Sequence, residues 1–237
     1  ILEANPRASR TMPFVSKVTG NQIIKAGTLL MLGHSLDSIK KTTNYLNSST
    51  NKVAIKKAIF PWSRFPAEDT MLGPEMKATG EVLGIGRSFG VALNKAYAAA
   101  GVEINENEKG IFVSLSDQEK PNFIKIVKTY SDLGFKIYST YGTGEYLENN
   151  DINSTIVGRA DETFPTSLTI LQDKLISLVI NTPTFANEYT DGWKIRRLSH
   201  ETGVAVVSSV REAEAFLKAF LETTKSFEDM EAIQNVS

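Results

Sequence analysis

The amino-acid sequence predicts an α/β protein whose C-terminal half is a three-layer α/β sandwich around a five-stranded, mostly parallel sheet. After residue 110, strand-like and helix-like segments alternate, and this alternation is the pattern of βαβ units. Two strand segments, at 111–115 and 175–182, are largely apolar, as expected for strands that helices cover on both faces. With 237 residues, of which 41% are hydrophobic, the chain has enough material for two packed domains.

The first hundred residues predict a less regular domain of mixed helices and strands. Helical periodicity stops at a glycine in the first segment, and Ser35 is a suitable N-cap for the second. The strand ends where Pro61 interrupts it, because proline has no backbone N–H to donate. In order, the segments are helices at 21–33 and 34–46, a strand at 53–62, an irregular stretch rich in Pro and Gly at 65–76, and a helix at 87–100.

The sequence GVEINENEKG at 101–110 marks the border between the two domains. Charged and amide residues fill this stretch, and a glycine stands at each end of it. It also separates a helical pattern from a strand pattern. We therefore assign residues 1–105 to the first domain and residues 106–237 to the second.

The second domain contains five strand segments, each followed by a helix. Pro121 lies near the start of the first helix, which stops at Gly134, and Ser209 with Glu212 forms a capping pair at the start of the last. The strands are predicted at 111–115, 135–139, 153–158, 175–182 and 204–208. In such sheets, ligands bind at the carboxyl ends of the strands.

Composition excludes several classes of function. The 26 Lys and Arg residues nearly balance the 27 Asp and Glu residues and are scattered, so we expect no nucleic-acid or membrane partner. The absence of Cys excludes disulfides, thiolate metal sites and thiol nucleophiles, and it fits a reducing compartment. No apolar run approaches the roughly 18 residues that a membrane span needs. These observations predict a cytoplasmic protein.

The chain begins ILEANPRASRTMPF, without an initiator Met, and this beginning predicts a piece of a longer protein. In an extended strand, Glu3 and Asn5 project from one face, because side chains two apart share a face, and Arg7 follows them. A carboxylate and an amide oxygen side by side suit Mg²⁺, which often shares its ligands with nucleotide phosphates. The alternative is that both residues are simply solvated on an edge strand.

Polar residues follow four successive strands of the predicted sheet, at the edge where a ligand is expected. The turn STYGTGEYL at 139–147 places backbone N–H groups and a positive helix end next to threonine hydroxyls, which suits an anion. The pattern predicts a pocket for a phosphorylated small molecule, although Gly, Thr and Asn are also ordinary turn residues. The candidate residues are Lys120, Thr140, Gly142, Thr143, Arg159, Asn181 and Thr182.

Two other patterns do not predict a cofactor or catalytic site. GIGRSFG at 84–90 contains G-x-G, but a dinucleotide-binding fingerprint has to open a βαβ unit, whereas this stretch opens a helix that leads into the domain border. The two histidines, His34 and His200, have no Cys or His neighbours at ligand spacing. We expect each to be a surface or capping residue.

Two long stretches resemble a known family. EANPRASRTMPFVSKVTG at 3–20 is similar to the end of the second ATP-grasp unit of the carbamoyl phosphate synthetase large subunit. LGPEMKATGEVLGIGRSFGVALNKA at 72–96 is similar to the stretch that follows it there, and the region after 110 resembles that subunit's C-terminal allosteric domain. The resemblance implies an α+β remnant of an ATP-grasp domain over 1–105 and a methylglyoxal-synthase-like allosteric domain over 106–237.

The resemblance also implies an activity for the intact subunit. Members of the family make carbamoyl phosphate from bicarbonate, glutamine-derived ammonia and two ATP, for arginine and pyrimidine synthesis, with a glutaminase small subunit as partner. Glu3 and Asn5 would then bind the Mg²⁺ or Mn²⁺ that accompanies ATP, and Arg10 would stand near the phosphate and carbamate. The nucleotide-binding lysines and the phosphate-covering loop lie upstream in this family, so we expect the fragment to be inactive alone and to require no cofactor.

The resemblance implies a regulatory ligand for the second domain. In bacterial members this domain binds a nucleotide of the uridine or inosine monophosphate type. The matching phosphate and ribose positions are Lys120, Thr140, Thr143, Arg159 and Asn181.

The sequence departs from the family at two positions. After Asn181 the family often has two threonines, whereas NTPT in this chain puts Pro183 in place of a hydroxyl, so that Thr182 or Thr184 would have to replace it. Lys57 stands where some bacterial members carry a Glu that partly holds the amino group of ornithine, an activator. Because an ammonium group repels a cationic amine, we expect ornithine not to bind in that pose.

Two alternative functions remain open on the sequence. A free-standing enzyme of the methylglyoxal synthase type would share the fold, but its chemistry needs a carboxylate base and a histidine acid around the phosphate. GRADETF at 158–164 lacks the Gly-Gly-Asp run of that family, and Asp161 alone is a poor candidate for the base. The other alternative is an interaction module that binds no ligand.

Overall fold

A computed structural model of the protein describes residues 4–45, 51–65, 68, 70, 76, 78–102, 110–159, 162, 165–182 and 190–223. The helices in these ranges are α1 (Thr11–Thr19), α2 (Ile23–Met31), α3 (Leu36–Thr42), α4 (Phe89–Ala99), α5 (Lys120–Asp132), α6 (Tyr141–Glu148), α7 (Ser167–Gln172), α8 (Asp191–Thr202) and α9 (Val210–Thr223). The strands are β1 (Val53–Ile59), β2 (Gly80–Gly86), β3 (Gly110–Ser114), β4 (Lys136–Ser139), β5 (Thr155–Ile156), β6 (Leu178–Asn181) and β7 (Ala205–Val207). Among the described helices, none has the length and apolar character that crossing a membrane requires.

The C-terminal domain is built on a five-stranded sheet in the order β5-β4-β3-β6-β7, and every neighbouring pair is parallel. Alternate residues of β3 enter two separate cores, because successive side chains of a strand point to opposite faces. Ile111 and Val113 pack with α5 and α9 on one face, while Phe112 packs with α7 and α8 on the other. The predicted three-layer α/β sandwich is confirmed.

The first domain contains a two-stranded antiparallel sheet, β1–β2, on which α4 packs. The sequence did not predict β2, since its three glycines resemble a turn. A methyl group at Gly84 would overlap the carbonyl oxygen of Ala92, and one at Gly86 would lie 2.8 Å from the Ala92 nitrogen. The glycines of GIGRSFG therefore let α4 approach β2 closely, and they do not belong to a βαβ unit.

The start of the chain differs from its prediction. Residues 4–9 form no strand, so an extended strand is wrong for Asn5 and Arg7, and α1 follows at once. Pro13 fits in the first turn of α1, where backbone N–H groups have no intrahelical acceptor. The two predicted helices after α1 are confirmed as α2 and α3, and Ser35 caps α3 by accepting from the Ser38 N–H at 3.3 Å.

α4 is shared between the two domains. It packs on β2 and also contributes Leu93 and Tyr97 to the core of the C-terminal domain. The Tyr97 hydroxyl donates to Glu212 of α9 at 3.2 Å, and the Lys57 ammonium group lies 4.0 Å from the centre of the Tyr97 ring. The pKa of Lys57 is lowered, mainly because the side chain is buried, and the Glu212 carboxylate offsets part of this shift. Most of the predicted border, residues 103–109, lies outside the described residues.

α8 also contacts the first domain. The Arg197 guanidinium donates to the Phe65 carbonyl at 2.8 Å, directly after the 3-10 helix Trp62–Arg64, and it forms an ion pair with Glu201 at 2.7 Å. The Trp62 ring is buried, and its centre lies 5.9 Å from the centre of the His200 ring. Among the described residues, α4 and α8 both join the C-terminal domain to the first domain.

The two histidines have different environments. His34 is exposed, as expected, but His200 is half buried against the first domain rather than on the surface. Burial lowers the pKa of His200 to about 4, and the positive charges of Lys57, Arg197 and Arg196 act in the same direction. His200 is therefore neutral at physiological pH, and its protonation opposes folding.

Replacing Gly84 by Ala should destabilise the protein by about 2 kcal/mol or more, because the new methyl group would force α4 away from β2. The free energy of unfolding in urea measures this loss. Gly27→Ala is the matched control, since a Cβ at Gly27 of α2 meets nothing within 4 Å. That variant should be neutral or slightly stabilising, because Ala favours a helix over Gly. Equal losses in both variants would contradict the packing role of Gly84.

Stability should fall as the pH drops from about 6.5 to about 4, because unfolded His200 takes up a proton in this range and folded His200 does not. His200→Gln should make the free energy of unfolding less dependent on pH over that interval. His34→Gln, at an exposed histidine, serves as the control. Urea unfolding at several pH values tests the difference, and parallel curves for wild type and His200→Gln would contradict it.

Candidate functional site

A cavity of about 690 Å³ opens at the carboxyl ends of the parallel strands. Its wall is formed by the residues that follow β3, β4, β5 and β6 and by the first turns of α8. This is the edge of the sheet at which the sequence predicts a ligand. The prediction from the strand ends therefore locates the cavity. Of the seven predicted pocket residues, five line the wall: Thr140, Gly142, Arg159, Asn181 and Thr182.

Lys120 is not one of the residues that line the cavity, but it lies beside the start of α6. Its ammonium nitrogen is 3.9 Å from the point that a Cβ on Gly142 would occupy, and its side chain is only 13% exposed. Asp117, which is highly exposed, forms an ion pair with it at 2.6 Å. The structure thus brings a largely buried cation next to the first turn of α6.

The start of α6 presents hydrogen-bond donors to the cavity. Thr140 is the N-cap residue, with an extended backbone, and its side chain makes no capping hydrogen bond. The first N–H groups of a helix have no intrahelical acceptor, which applies here to Tyr141 and Gly142. Together with the positive end of the helix dipole, these donors favour an anion.

Thr143 is not on the wall. It is 1% exposed, and its hydroxyl oxygen accepts from the Leu115 N–H at 3.0 Å and from the Thr140 hydroxyl at 3.2 Å. Thr143 therefore ties the start of α6 to the loop after β3. The predicted contact of Thr143 with a ligand stays a prediction.

Asn181 and Thr182 shape the centre of the wall. Asn181 is 3% exposed, and its amide nitrogen donates to the Ser114 carbonyl at 3.4 Å. The Thr182 hydroxyl accepts from the Ser116 N–H at 2.8 Å. These bonds join the ends of β6 and β3, so that the two strand ends form one continuous surface.

Arg196 of α8 lines the cavity and was not predicted from the sequence. It is 3% exposed, and its guanidinium donates to the Asn181 side-chain oxygen at 2.7 Å. Gly192, one turn earlier on α8, leaves room for it, because a Cβ there would lie 3.1 Å from the guanidinium. No local sequence pattern marks Arg196 as a wall residue, because its position depends on how α8 packs against the sheet.

Charged residues surround the mouth of the cavity. The Arg159 side chain is 74% exposed and lies 4.0 Å from the Asp191 carboxylate, while Lys194 lies 3.9 Å from the same carboxylate. The Arg159 N–H donates to the Glu162 carboxylate at 2.9 Å. Among the described lining residues, three cationic side chains thus stand against two carboxylates, and Lys120 with its partner Asp117 adds one charge of each sign nearby.

Of the residues predicted at the start of the chain, Asn5, Arg7 and Arg10 are described, and they do not line this cavity. The Asn5 side-chain oxygen accepts from Arg7 at 3.4 Å, and Arg10 donates to the Thr79 hydroxyl at 3.0 Å, with both groups exposed. Glu3 lies outside the described residues, and the described part of the chain has no group of three or more His, Cys, Asp or Glu that could hold a metal. The metal role of Glu3 and Asn5 and the catalytic role of Arg10 stay predictions.

Three other residues from the sequence analysis, Asp161, Pro183 and Thr184, also lie outside the described residues. Both histidines are described, and neither lines the cavity. The cavity therefore combines cationic side chains, helix N–H groups and hydroxyls without a histidine. This chemistry suits the binding of an anionic ligand.

Comparison with protein families matches residues 122–208 to the MGS-like domain. These residues include α6, α7 and most of the cavity wall. The match supports the fold of the C-terminal domain.

Several relatives match nearly the whole chain. A carbamoyl phosphate synthase large chain from Nostoc sp. is 38% identical over 234 residues, which are 99% of this chain and 21% of the relative. A carbamoyl phosphate synthase large chain, C-terminal section, from Aquifex aeolicus is 36% identical over 242 residues, 97% of this chain and 45% of the relative. A large chain from Methanocorpusculum labreanum is 39% identical over 226 residues, 95% of this chain and 21% of the relative. The chain thus spans from about a fifth to less than half of these relatives.

Proposed function

The chain is a homologue of carbamoyl phosphate synthase large chains and carries an MGS-like domain, and on this premise we propose that it is a regulatory portion of such a subunit. The cavity at the strand ends would bind a nucleotide of the uridine or inosine monophosphate type. The intact enzyme would make carbamoyl phosphate from bicarbonate, glutamine-derived ammonia and two ATP. It would work with Mg²⁺ or Mn²⁺ and with a glutaminase small subunit.

The observation that carries this proposal is the cavity's anion-binding geometry. Lys120 is largely buried beside the first turn of α6, where N–H groups and the helix dipole also favour negative charge. A phosphate placed there would accept charge-assisted hydrogen bonds from both sources. The volume of about 690 Å³ lies within the range of roughly 300–1,000 Å³ typical of small-molecule sites, so it admits a nucleotide.

The first domain would contribute the end of an ATP-grasp domain. In this proposal Glu3 and Asn5 bind the metal that accompanies ATP, and Arg10 stands near the phosphate and carbamate. Such a site would be completed by residues beyond this chain, which covers only 21% of the Nostoc relative. We therefore propose that the chain alone synthesises no carbamoyl phosphate.

The alternative of a free-standing methylglyoxal-synthase-like enzyme has less support. That chemistry uses a histidine as the acid, and neither His34 nor His200 lines the cavity. His200 instead packs against Trp62 of the first domain. The cavity therefore supports binding rather than proton transfer through histidine.

α8 offers a route by which bound ligand could affect the first domain. Arg196 lines the cavity, and the next residue, Arg197, donates to the Phe65 carbonyl in the first domain. A movement of α8 on ligand binding would therefore reach the segment around Trp62 directly. Such a helix, contacted by both sites, is the kind of physical link that coupling requires.

Lys120→Ala should weaken binding of uridine or inosine monophosphate by about 1 to 3 kcal/mol, because the phosphate loses its buried cation. Isothermal titration calorimetry on the full chain measures the change. Lys125→Ala is the matched control, since Lys125 is an exposed lysine on the same helix, α5, and should leave affinity unchanged. Equal affinity of wild type and Lys120→Ala would contradict the phosphate site.

Arg197→Gln should uncouple the first domain from the cavity while leaving nucleotide affinity within about twofold of wild type, because Arg197 contacts Phe65 and not the cavity. The chain has two tryptophans, so Trp193→Phe leaves Trp62 as the reporter. In that background, saturating nucleotide should change Trp62 fluorescence, and adding Arg197→Gln should remove the change. Arg211→Gln, at an exposed arginine of α9, is the control. An unaltered Trp62 response in Arg197→Gln would rule out this route.

A further inference from the structure

Lys120 provides a firmly held positive charge beside the first turn of α6. Its side chain is only 13% exposed, and its ammonium nitrogen lies 5.7 Å from the centre of the Tyr146 ring of α6, within the range of a cation–π contact. The same nitrogen is 3.9 Å from the point that a Cβ on Gly142 would occupy. A positive charge that is so largely buried needs a negative partner, because burial removes most of its hydration.

Asp117 supplies this partner, with a carboxylate oxygen 2.6 Å from the ammonium nitrogen. The turn between β3 and α5 brings the two residues together, because the Glu119 and Lys120 N–H groups both donate to the Ser116 carbonyl, at 3.0 and 3.2 Å. The Ser116 N–H in turn donates to the Thr182 hydroxyl at 2.8 Å, which attaches the turn to the cavity wall. The ion pair is therefore held at the edge of the cavity by backbone hydrogen bonds.

The two members of this ion pair differ in how firmly they are held. The Asp117 side chain is 95% exposed, so its carboxylate can turn into water and regain hydration, whereas the Lys120 ammonium group stays in place. A phosphate at the first turn of α6 would meet an ammonium group that a carboxylate already neutralises. Two negative groups beside one ammonium group repel each other. A phosphate therefore has to displace the Asp117 carboxylate in order to pair fully with Lys120.

We infer that Asp117 is an internal counter-ion of the cavity, which neutralises Lys120 when no phosphate is bound and lowers the affinity for every phosphorylated ligand that must displace it. This inference rests on the proposed function, since it requires a phosphate at the start of α6. Asp117 is a positioning residue that acts through Lys120 and does not itself bind the ligand. A ligand without a strongly negative group cannot displace the carboxylate, so this exchange discriminates against neutral molecules of similar size.

Calorimetry on the full chain tests the inference with uridine and inosine 5′-monophosphates and with ribose 5-phosphate, which has no base. Asp117→Asn keeps the size of the side chain and removes its charge. It should tighten binding of all three ligands by about threefold or more, because the phosphate no longer competes with a carboxylate for Lys120. Asp117→Ala should give a similar gain, which would show that the lost charge is responsible and not a new contact of the amide. Thermal unfolding confirms that both variants fold, as expected for a highly exposed position.

Two comparisons separate this role from a general effect of charge. Glu119→Gln removes a negative charge from the same turn, but the Glu119 carboxylate accepts from the Asn122 amide at 3.2 Å and is not the partner of Lys120. Its effect on affinity should stay below about twofold, since salt screens charges that are not in contact. In a double-mutant cycle, adding Asp117→Asn to Lys120→Ala should also change affinity by less than about twofold, because no ammonium group remains to be released.

The possible failures are distinct. If none of the three ligands binds wild type or Asp117→Asn, the proposed function itself fails. If the ligands bind Asp117→Asn no more tightly than wild type, the proposed function stands and the role of Asp117 is wrong. If Glu119→Gln gives the same gain, or if Asp117→Asn gives its full gain in the absence of Lys120, Asp117 acts only through its general charge and the inference is likewise overturned.

Discussion

The parallel pairing of the five strands is the constraint on which the cavity depends. Because β3, β4, β5 and β6 all run in one direction, their carboxyl ends meet at a single edge of the sheet. The residues that follow them are widely separated in sequence but share one hollow. An antiparallel neighbour would have placed the residues that follow it at the opposite edge of the sheet, away from this cavity.

α8 connects this edge with the first domain because consecutive helical residues point in different directions. Arg196 lies on the cavity wall, and Arg197, about 100° further round the helix, reaches the Phe65 carbonyl. His200, one turn after Arg196, lies against Trp62. A short rigid element thus touches both regions, and no long chain of intermediate residues is needed between them.

The C-terminal sheet could be predicted from the sequence, because buried parallel strands are apolar runs and the helices between them are not. It missed β2, whose glycines are needed for contact with α4 and hide the strand pattern. It also took the residues before α1 for a strand, because a short alternation of residue types carries little information. Arg196 was not predicted as a wall residue, because its position depends on how α8 packs. The local sequence does not show that packing.

The charge distribution explains how a nearly neutral chain could select a small anion. With 26 basic and 27 acidic residues, the formal net charge is -1, so the overall charge of the chain gives an anion little long-range attraction. The cations near the cavity act only at short range, and Lys120 and Arg196 are largely buried, so salt screens them less than surface charges. Only a ligand small enough to enter the cavity reaches them. Under the proposed function, selectivity would therefore come from access and local geometry, and overall charge would contribute little.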